Sequence, residues 1–258
     1  MKLTYAVVFY NHSNDMVQHL YQNLTSTVPS GYEYTLYLVN NSPANRELSE
    51  CLKKIQKQDR HVVAINAAEN RGFGAGNNLA IAQIESDYHL IVNPDIEIPD
   101  ANQIRLMITY MEANKVVLLN PKIQDTSGQI QKLVKKNPTI LDLGLRFLGS
   151  RVMAKRQANF VYDGMYDCAH EVQVISGSFM VCNTGVLKKV GGFDERYFLY
   201  MEDTDLCRKF MSYGSIYYYP DAYVIHEWQR QNRKSLKGIR QMLVSMVKYF
   251  NKWGWRFW

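Results

Sequence analysis

The first 120 residues alternate apolar, β-prone runs with stretches whose apolar residues recur at helical spacing. Because strands that alternate with helices build a parallel sheet with helices on both faces, this rhythm predicts an α/β fold. Ligands of such sheets bind beyond the carboxyl ends of the strands, so functional residues are expected there. The predicted strands are Leu3–Tyr10, Thr35–Val39, His61–Ile65, Tyr88–Val92 and Val116–Leu119, and the predicted helices are Met16–Leu24, Arg46–Lys57, Ala75–Ile84 and one from Asp100 to about Asn114.

The rhythm changes after Pro121. A turn with short strands leads into a helical insertion at Asn137–Val161, a strand at Val172–Cys182 and a helix from about Met201 to Gly214, and a closing strand follows. The second half is therefore predicted to be of mixed structure. We predict one body over residues 1–228, divided near residue 120, and a separate tail over residues 229–258.

The net charge of +6 is located in that tail. Between Trp228 and Trp258 there are eight Lys or Arg and no acidic residue, whereas the rest of the chain is close to neutral. A nucleic-acid-binding domain more often spreads basic residues across a face, so this function is disfavoured. Four widely spaced cysteines and the lack of a signal-peptide or membrane-span pattern predict a cytoplasmic chain.

The stretch LIVNPDIEIPD places Asp95 just beyond a predicted buried strand, with Pro94 stiffening the turn. A carboxylate at that edge can hold a hard divalent cation against a diphosphate. A turn or helix-capping aspartate is the structural alternative, but Asp100 already provides the cap, which favours the metal interpretation. His226 ends the last predicted strand, and it becomes a candidate ligand only if folding brings it beside Asp95.

Three glycines spaced by two lie within Glu69–Ile81, which reads ENRGFGAGNNLAI. Their spacing, and their position after the third strand, differ from the dinucleotide-binding fingerprint of dehydrogenases. Two interpretations stay open. The glycines provide flexibility at the entry to a helix, or the backbone of the loop and the amides of Asn70, Asn77 and Asn78 line a nucleotide pocket.

The stretch FLYMEDTDLC sets Glu202, Asp203 and Asp205 within four positions among aromatic and apolar residues. Acids in a first helical turn are stabilised by the helix dipole and by free backbone N–H groups, which accounts for one or two of them. A partly desolvated carboxylate beside other carboxylates has a raised proton affinity, which suits a general base. The structural account does not explain why the preceding loop is so aromatic, so the cluster is also a candidate for catalysis.

These segments, taken with VVFYN, VNNS, SGSFMVCNTGVLKKVGGFDERYF and YVIH, resemble the family 2 glycosyltransferases from about Leu3 to His226. The likeness is strongest to the rhamnosyltransferase-like branch of bacterial surface-polysaccharide synthesis. It implies a GT-A fold, with a Rossmann-like nucleotide-sugar-binding half over residues 1–120 and an acceptor-binding half over residues 121–228. It also implies a nucleotide-diphosphate sugar donor, Mg²⁺ or Mn²⁺, and inversion at the anomeric carbon.

The resemblance assigns roles to individual residues. Asp203 matches the catalytic base, with Glu202 beside it, and Asp95 matches the last acid of an Asp-x-Asp metal motif whose first position is Asn93 here. His226 resembles an additional metal ligand. Nucleotide contacts are expected from Tyr10, Asn11, Asn40 (an aspartate in many relatives), Asn70, Gly72, Asn77 and Asp95, and acceptor contacts from Gly177, Ser178 and Asp205.

The implied reaction moves L-rhamnose from dTDP-β-L-rhamnose to a hydroxyl of a polyprenyl-diphosphate-linked glycan. One alternative is the same fold with another donor, such as UDP-galactofuranose or UDP-N-acetylglucosamine. A non-catalytic nucleotide-binding scaffold is the other alternative, and the presence of Asp95, Asp203 and His226 argues against it.

The tail contains one strongly amphipathic helical pattern. Its apolar positions are Ile239, Met242, Leu243, Met246, Val247 and Phe250, basic residues occupy the other faces, and WGWRFW follows. Two interpretations stay open and are compatible: the helix packs on the body, or it lies on anionic lipid with tryptophans at the headgroup level. The expected location is peripheral, at the inner face of the plasma membrane.

Overall fold

The computed structural model describes residues 1–149, 151–227 and 236–258. The strands are β1 (Lys2–Phe9), β2 (Glu33–Asn40), β3 (Val62–Asn66), β4 (Tyr88–Val92), β5 (Ile96–Glu97), β6 (Leu118–Gln124), β7 (His170–Glu171), β8 (Phe179–Asn183) and β9 (Ile216–His226). The helices are α1 (Asn14–Ser26), α2 (Arg46–Gln58), α3 (Phe73–Ile81), α4 (Ala101–Asn114), α5 (Ile140–Leu148), α6 (Ala154–Phe160), α7 (Thr184–Lys189), α8 (Glu202–Phe210) and α9 (Leu236–Trp253).

The first half is a parallel sheet in the order β3-β2-β1-β4, as its alternating pattern predicts. Alternate residues of β1 serve opposite faces: Tyr5 and Val7 pack into one core with helices α1, α2 and α4, whereas Ala6 and Val8 pack into another with α3. Both faces of β1 are buried, which explains why its sequence is a continuous apolar run.

The second half makes the sheet mixed. β8 lies between β4 and β6 and is antiparallel to both, and β9 runs parallel to β6. The predicted strand Val172–Cys182 is too long, because β8 starts only at Phe179. The predicted strand Val116–Leu119 is shifted towards the C-terminus, since β6 spans Leu118–Gln124. Both errors arise where small or polar residues interrupt an apolar run.

Helix boundaries follow local capping. The Asp100 side chain accepts a hydrogen bond from the N–H of Asn102, so the predicted cap of α4 is confirmed. Helix α8 follows Met201, which adopts a left-handed conformation without a side-chain cap, and it ends at Phe210 rather than at the predicted Gly214. Three acids therefore occupy its first turn.

Helix α9 packs on the body with one face and leaves another exposed. Tyr249 and Phe250 are buried, whereas Leu243, Val244 and Val247 are exposed. The boundary predicted between residues 228 and 229 falls in the stretch 228–235, outside the described residues. Among the helices that are described, none is long and apolar enough to cross a membrane.

Candidate active site

Strand pairing brings Asp95 and His226 together. β5 and β9 are antiparallel with Ile96 opposite His226, and the Glu227 N–H donates to the backbone oxygen of Asp95 over 3.1 Å. Consequently Oδ1 of Asp95 lies 3.3 Å from Nε2 of His226. Two residues that are far apart in sequence thus face each other at the carboxyl end of β4 and β9.

The contacts of Gln131 determine which ring nitrogen of His226 carries the proton. Its Nε2 donates to the backbone oxygen of His226 over 2.9 Å, so its Oε1 is the atom that accepts from Nδ1 of the ring, also over 2.9 Å. The neutral ring therefore carries its proton on Nδ1 and presents the Nε2 lone pair towards Asp95. Nothing in the sequence pattern singled out Gln131, because its role depends on a partner 95 residues away.

This donor set fits a divalent cation shared with a substrate. The described residues contain no group of three or more His, Cys, Asp or Glu side chains that could hold a metal ion. Mg²⁺ and similar ions are commonly held by one or two protein groups, with phosphate oxygens and waters completing the shell. Asp95 and His226 supply two such groups, and a nucleotide diphosphate would supply others.

His12 is a further polar group at this end of the sheet. Its Nδ1 accepts from the N–H of Tyr10 over 2.9 Å, which leaves the Nε2–H as the donor of the neutral ring. Burial lowers the pKa of His12, and the negative charge of Asp95 offsets part of that shift. The sequence analysis missed this histidine, although its place directly after β1 was the available signal.

The predicted nucleotide residues differ in exposure. Tyr10 is exposed, and Asn11 has a left-handed backbone (φ 55°) with its N–H donating to Ser42. Asn40 is fully buried: its carboxamide accepts from the Ser42 N–H and donates to Asn66. Asn40 thus shapes the loop after β2, and its direct contact with a nucleotide stays a prediction.

The glycine loop is built for a close backbone approach. Gly72 has φ 102°, and a Cβ there would clash with the backbone of Phe198, whose oxygen accepts from the Phe73 N–H. The Asn70 side chain accepts the N–H of Gly72 over 3.0 Å. Asn77 is buried inside α3, and its Nδ2 donates to the oxygen of Phe73. The loop therefore contacts the segment that leads into α8.

A single turn links the metal-site candidates to Asp203. The Asn93 N–H, two residues before Asp95, donates to the oxygen of Ser178 over 2.9 Å. A Cβ on the adjacent Gly177 would lie 3.4 Å from the Cβ of Asp203. Hence the segments that carry Asp95 and Asp203 both pack against the Gly177–Ser178 turn. These two predicted acceptor residues act here as the connection between the segments.

Glu202 is buried beside Asp203. Burial, and then the charge of Asp203, raise the pKa of Glu202 to about 8, so this acid keeps its proton at neutral pH. Its Oε2 is buried without a hydrogen-bond partner in the described chain. Both acids line a pocket of about 330 Å³. Its other lining residues are Lys135, Lys136, Pro138, Leu143, Phe160, Val174, Tyr200, Met201, Thr204, Gly238, Met242 and Met246.

Asp205, a predicted acceptor residue, contacts the tail helix. It is fully buried and does not line that pocket. Its carboxylate accepts from the Trp253 Nε1–H over 2.7 Å and pairs with Lys252 over 2.7 Å. The carboxylate therefore holds α9 against α8, and an acceptor contact from Asp205 stays a prediction.

Comparison with known proteins shows that the sequence matches a known family. Residues 4–191 match the family described as Glycosyl transferase family 2, well over half of the chain.

The chain belongs to glycosyl transferase family 2.

The sequence-based expectation of a glycosyltransferase is thereby confirmed at the level of the family.

Relatives of this family 2 member include named rhamnosyltransferases. Rhamnosyltransferase WbbL of Escherichia coli (strain K12) is 29% identical over 189 residues, covering 69% of each chain. The N-acetylglucosaminyl-diphospho-decaprenol L-rhamnosyltransferase of Mycobacterium tuberculosis (strain ATCC 25618 / H37Rv) is 26% identical over 171 residues. That match covers 61% of this chain and 56% of the relative, so the chain spans little more than half of that protein.

Solved structures confirm the predicted GT-A fold. GalNAc-T7 with UDP, GalNAc and Mn²⁺ superposes with a TM-score of 0.71 at 11% identity, covering 97% of this chain and 47% of that chain. S. aureus TarS (residues 1–349) in complex with UDP superposes with a TM-score of 0.63 at 18% identity, covering 97% of this chain and 66% of that chain. Identities this low show the fold alone.

Proposed function

We propose that this chain is an inverting, metal-dependent hexosyltransferase that moves L-rhamnose from dTDP-β-L-rhamnose to a hydroxyl of a polyprenyl-diphosphate-linked glycan. The observation that carries the proposal is the contact of the Asp95 and Asp203 segments with one turn, Gly177–Ser178. Support for the sugar and the acceptor comes from the names of the two rhamnosyltransferase relatives.

In this proposal the two halves of the body divide the substrates. Residues 1–120 bind the nucleotide sugar, and His226 of the second half joins Asp95 and His12 at the diphosphate. A cation held by Asp95 and His226 would neutralise the charge that develops on the leaving diphosphate. The Nε2–H of His12 is available to donate to a phosphate oxygen. Residues 121–228 hold the acceptor.

Asp203 acts as the general base. An acceptor hydroxyl is a weak nucleophile until its proton is taken as the new bond forms. The carboxylate of Asp203 borders the 330 Å³ pocket, in which an acceptor has room. With the base on the face opposite the leaving diphosphate, a single displacement inverts the anomeric carbon.

The exposed face of α9 supports a membrane-surface role. Leu243, Val244 and Val247 of α9 are exposed, Trp255 and Trp258 of the following segment are exposed as well, and the tail carries basic residues without acids. Such a surface suits the interface of an anionic bilayer. The proposed location is the inner face of the plasma membrane, where a lipid-linked acceptor is presented.

The test is a donor panel with Mn²⁺: dTDP-β-L-rhamnose, UDP-galactofuranose and UDP-N-acetylglucosamine, each assayed for slow hydrolysis and for transfer to an N-acetylglucosaminyl-diphospho-lipid. We expect turnover of the rhamnose donor, loss of about 10²–10⁴-fold in the transfer rate for Asp203→Asn, and unchanged donor affinity in that variant. Asp221→Asn, at an exposed position of β9, is the control. Turnover of another donor alone would contradict rhamnose as the transferred sugar. An Asp203→Asn variant that transfers the sugar as fast as the control would show that Asp203 is not the general base.

A further inference from the structure

Two consecutive residues with a left-handed backbone precede the helix that carries the proposed base. Tyr200 and Met201 each have φ 68°, a conformation that a residue with a bulky side chain rarely adopts. Helix α8 begins at the next residue, and both residues border the pocket that Glu202 and Asp203 also line. Strained backbone persists only where the surrounding structure fixes it, so the contacts around this pair determine how α8 starts.

The direction of the Asp203 carboxylate depends on the start of α8. Its Oδ1 accepts from the N–H of Thr204 over 2.7 Å and from the hydroxyl group of Thr204 over 3.2 Å. The backbone oxygen of Met201 accepts from the N–H of Asp205 over 2.8 Å, which ties the strained pair to the first turn. A different backbone at Met201 would therefore turn the first residues of α8 and redirect the carboxylate of Asp203.

The tail helix holds the chain segment that leads into the strained pair, residues 193–199. The hydroxyl group of Ser245 donates to the backbone oxygen of Leu199 over 2.8 Å, and Ser245 is only 2% exposed. Seven residues further along the same side of α9, Lys252 pairs with Asp194 over 2.8 Å. The 193–199 segment is thus bound to α9 near both of its ends.

The glycine loop and α3 hold the same segment from another side. The carboxamide of Asn78 makes three hydrogen bonds to it, each of 2.9 Å: Oδ1 accepts from the N–H of Phe193, and Nδ2 donates to the oxygen of Phe193 and to Oε1 of Glu195. The N–H of Phe73 donates to the oxygen of Phe198 over 3.2 Å. The side chain of Asn78 is therefore directed at the 193–199 segment.

We infer that Asn78 and Ser245 are positioning residues for the general base. They fix the 193–199 segment from α3 and from α9, and this segment keeps the strained pair in the conformation that directs Asp203 into the pocket. The inference rests on the proposed function of Asp203. In this arrangement neither side chain contacts the reacting atoms, and each acts through the backbone of the 193–199 segment.

A positioning role differs measurably from a contribution to stability alone. A contact that only stabilises the fold changes the fraction of folded protein. Loss of a positioning contact lowers the kcat of the folded enzyme and leaves the KM of the donor nearly unchanged, because the interaction counts only in the transition state. Misplacement of a catalytic group by about 1 Å can reduce the rate about 10²-fold.

The first test is the steady-state kinetics of donor hydrolysis by the full chain with Mn²⁺ and without lipid. The donor is the nucleotide sugar that the wild type hydrolyses fastest. Water then takes the place of the acceptor hydroxyl and gives its proton to Asp203, so attachment to a membrane does not affect the rate. Asn78→Ala and Ser245→Ala should each lower kcat about 10–100-fold, with the donor KM changed less than about threefold.

Each variant has a matched control at an exposed position of a helix. Asn102→Ala replaces an asparagine of α4, and Ser26→Ala replaces a serine of α1. Both controls should keep the kcat of the wild type. Thermal unfolding of all four variants establishes that they are folded at the temperature of the assay.

The second test is hydrogen exchange of backbone amides, measured by mass spectrometry, which needs no turnover. In Asn78→Ala and Ser245→Ala, peptides that cover residues 193–203 should exchange at least about threefold faster than in the wild type. Peptides from α1 and α4 should exchange at the rate of the wild type, since the 193–199 segment alone loses a contact.

Two results would overturn the inference. One is a kcat in both variants equal to that of their controls. The other is exchange of residues 193–203 that stays at the wild-type rate, because the two side chains would then not hold this segment. A wild type that hydrolyses no donor contradicts the proposed function alone. In that case the exchange rates still decide the positioning role: faster exchange supports it and unchanged exchange overturns it.

Discussion

The ammonium group of Lys252 lies 2.7 Å from Oδ1 of Asp205, a carboxylate with no exposed surface, and the indole of Trp253 donates to the same carboxylate. Asp205 is two residues beyond Asp203 on α8, so this contact ties the tail helix to the helix that carries the proposed base. The ion pair between Lys252 and Asp205 therefore attaches the tail helix to the body. This attachment does not depend on what the outer face of α9 binds.

Lys252→Met should lower the free energy of unfolding by about 3 kcal/mol, because it leaves the Asp205 charge buried without its ionic partner. Adding Asp205→Asn removes that charge and should restore part of the loss. Urea unfolding of both variants measures this, with Lys155→Met, at an exposed position, as the control. A single variant as stable as the control would show that the pair contributes nothing.

Glu202→Gln should stabilise the fold at alkaline pH. The pKa of Glu202 is raised from 4.5 to about 8, so folding favours the protonated form, and the stability of the wild type falls as the pH rises from about 4.5 to 8. Glutamine cannot ionise, so the variant should gain on the order of 3 kcal/mol over the wild type between pH 5 and pH 8. Urea unfolding at both values provides the comparison. A difference that does not change with pH would contradict the raised pKa.

Gln131→Leu should weaken the binding of Mn²⁺, measured with dTDP present, by about 10–100-fold, because the His226 ring loses the acceptor that fixes its proton on Nδ1. Calorimetry with the metal gives the affinity. The control is Gln129→Leu, at an exposed glutamine two residues away. Equal affinities in the two variants would mean that Gln131 does not orient a metal ligand.

Gly72→Ala and Gly128→Ala separate backbone strain from a steric clash. Both glycines have positive φ, 102° and 81°, but a Cβ at Gly128 meets nothing within 4 Å whereas one at Gly72 meets the backbone of Phe198. Gly128→Ala should cost about 1 kcal/mol of stability. Gly72→Ala should cost clearly more and also weaken nucleotide binding, since the glycine loop must move away from the segment before α8. Thermal unfolding with and without dTDP and Mn²⁺ tests both expectations.

Val247→Gln combined with removal of residues 254–258 should reduce co-sedimentation with anionic vesicles several-fold, because it removes apolar and aromatic area from the exposed side of α9 and the tail. Neutral vesicles should bind the wild type less strongly than anionic ones, since the tail is basic. Leu79→Gln, at an exposed leucine of α3, is the control. Unchanged sedimentation of the altered chain would assign the exposed face of α9 to another partner.

Several features could be predicted from the sequence because local chemistry decides them. The alternation of the first half predicts β1 to β4 and their helices, since a strand that is buried on both faces must be apolar throughout. Asp100 identifies the start of α4 because a helix needs an acceptor for its free N–H groups. Asp95 and His226 could also be named as candidates from residue type and position along the chain, whereas the resemblance to the family singled out Asp203 among the three acids.

Other features depend on contacts between distant segments, for which neighbouring residues give no signal. The insertion of β8 between β4 and β6 places the Gly177–Ser178 turn next to both acidic segments. Three neighbouring acids that look alike in sequence have different environments: Glu202 is buried with a raised pKa, Asp203 borders a pocket at the start of α8, and Asp205 binds the tail. The sequence determined which residues are chemically capable of binding a metal ion or accepting a proton. The tertiary structure alone decided what each one does, because burial and partners set the charge and reach of a side chain, and both come from chain segments many residues away.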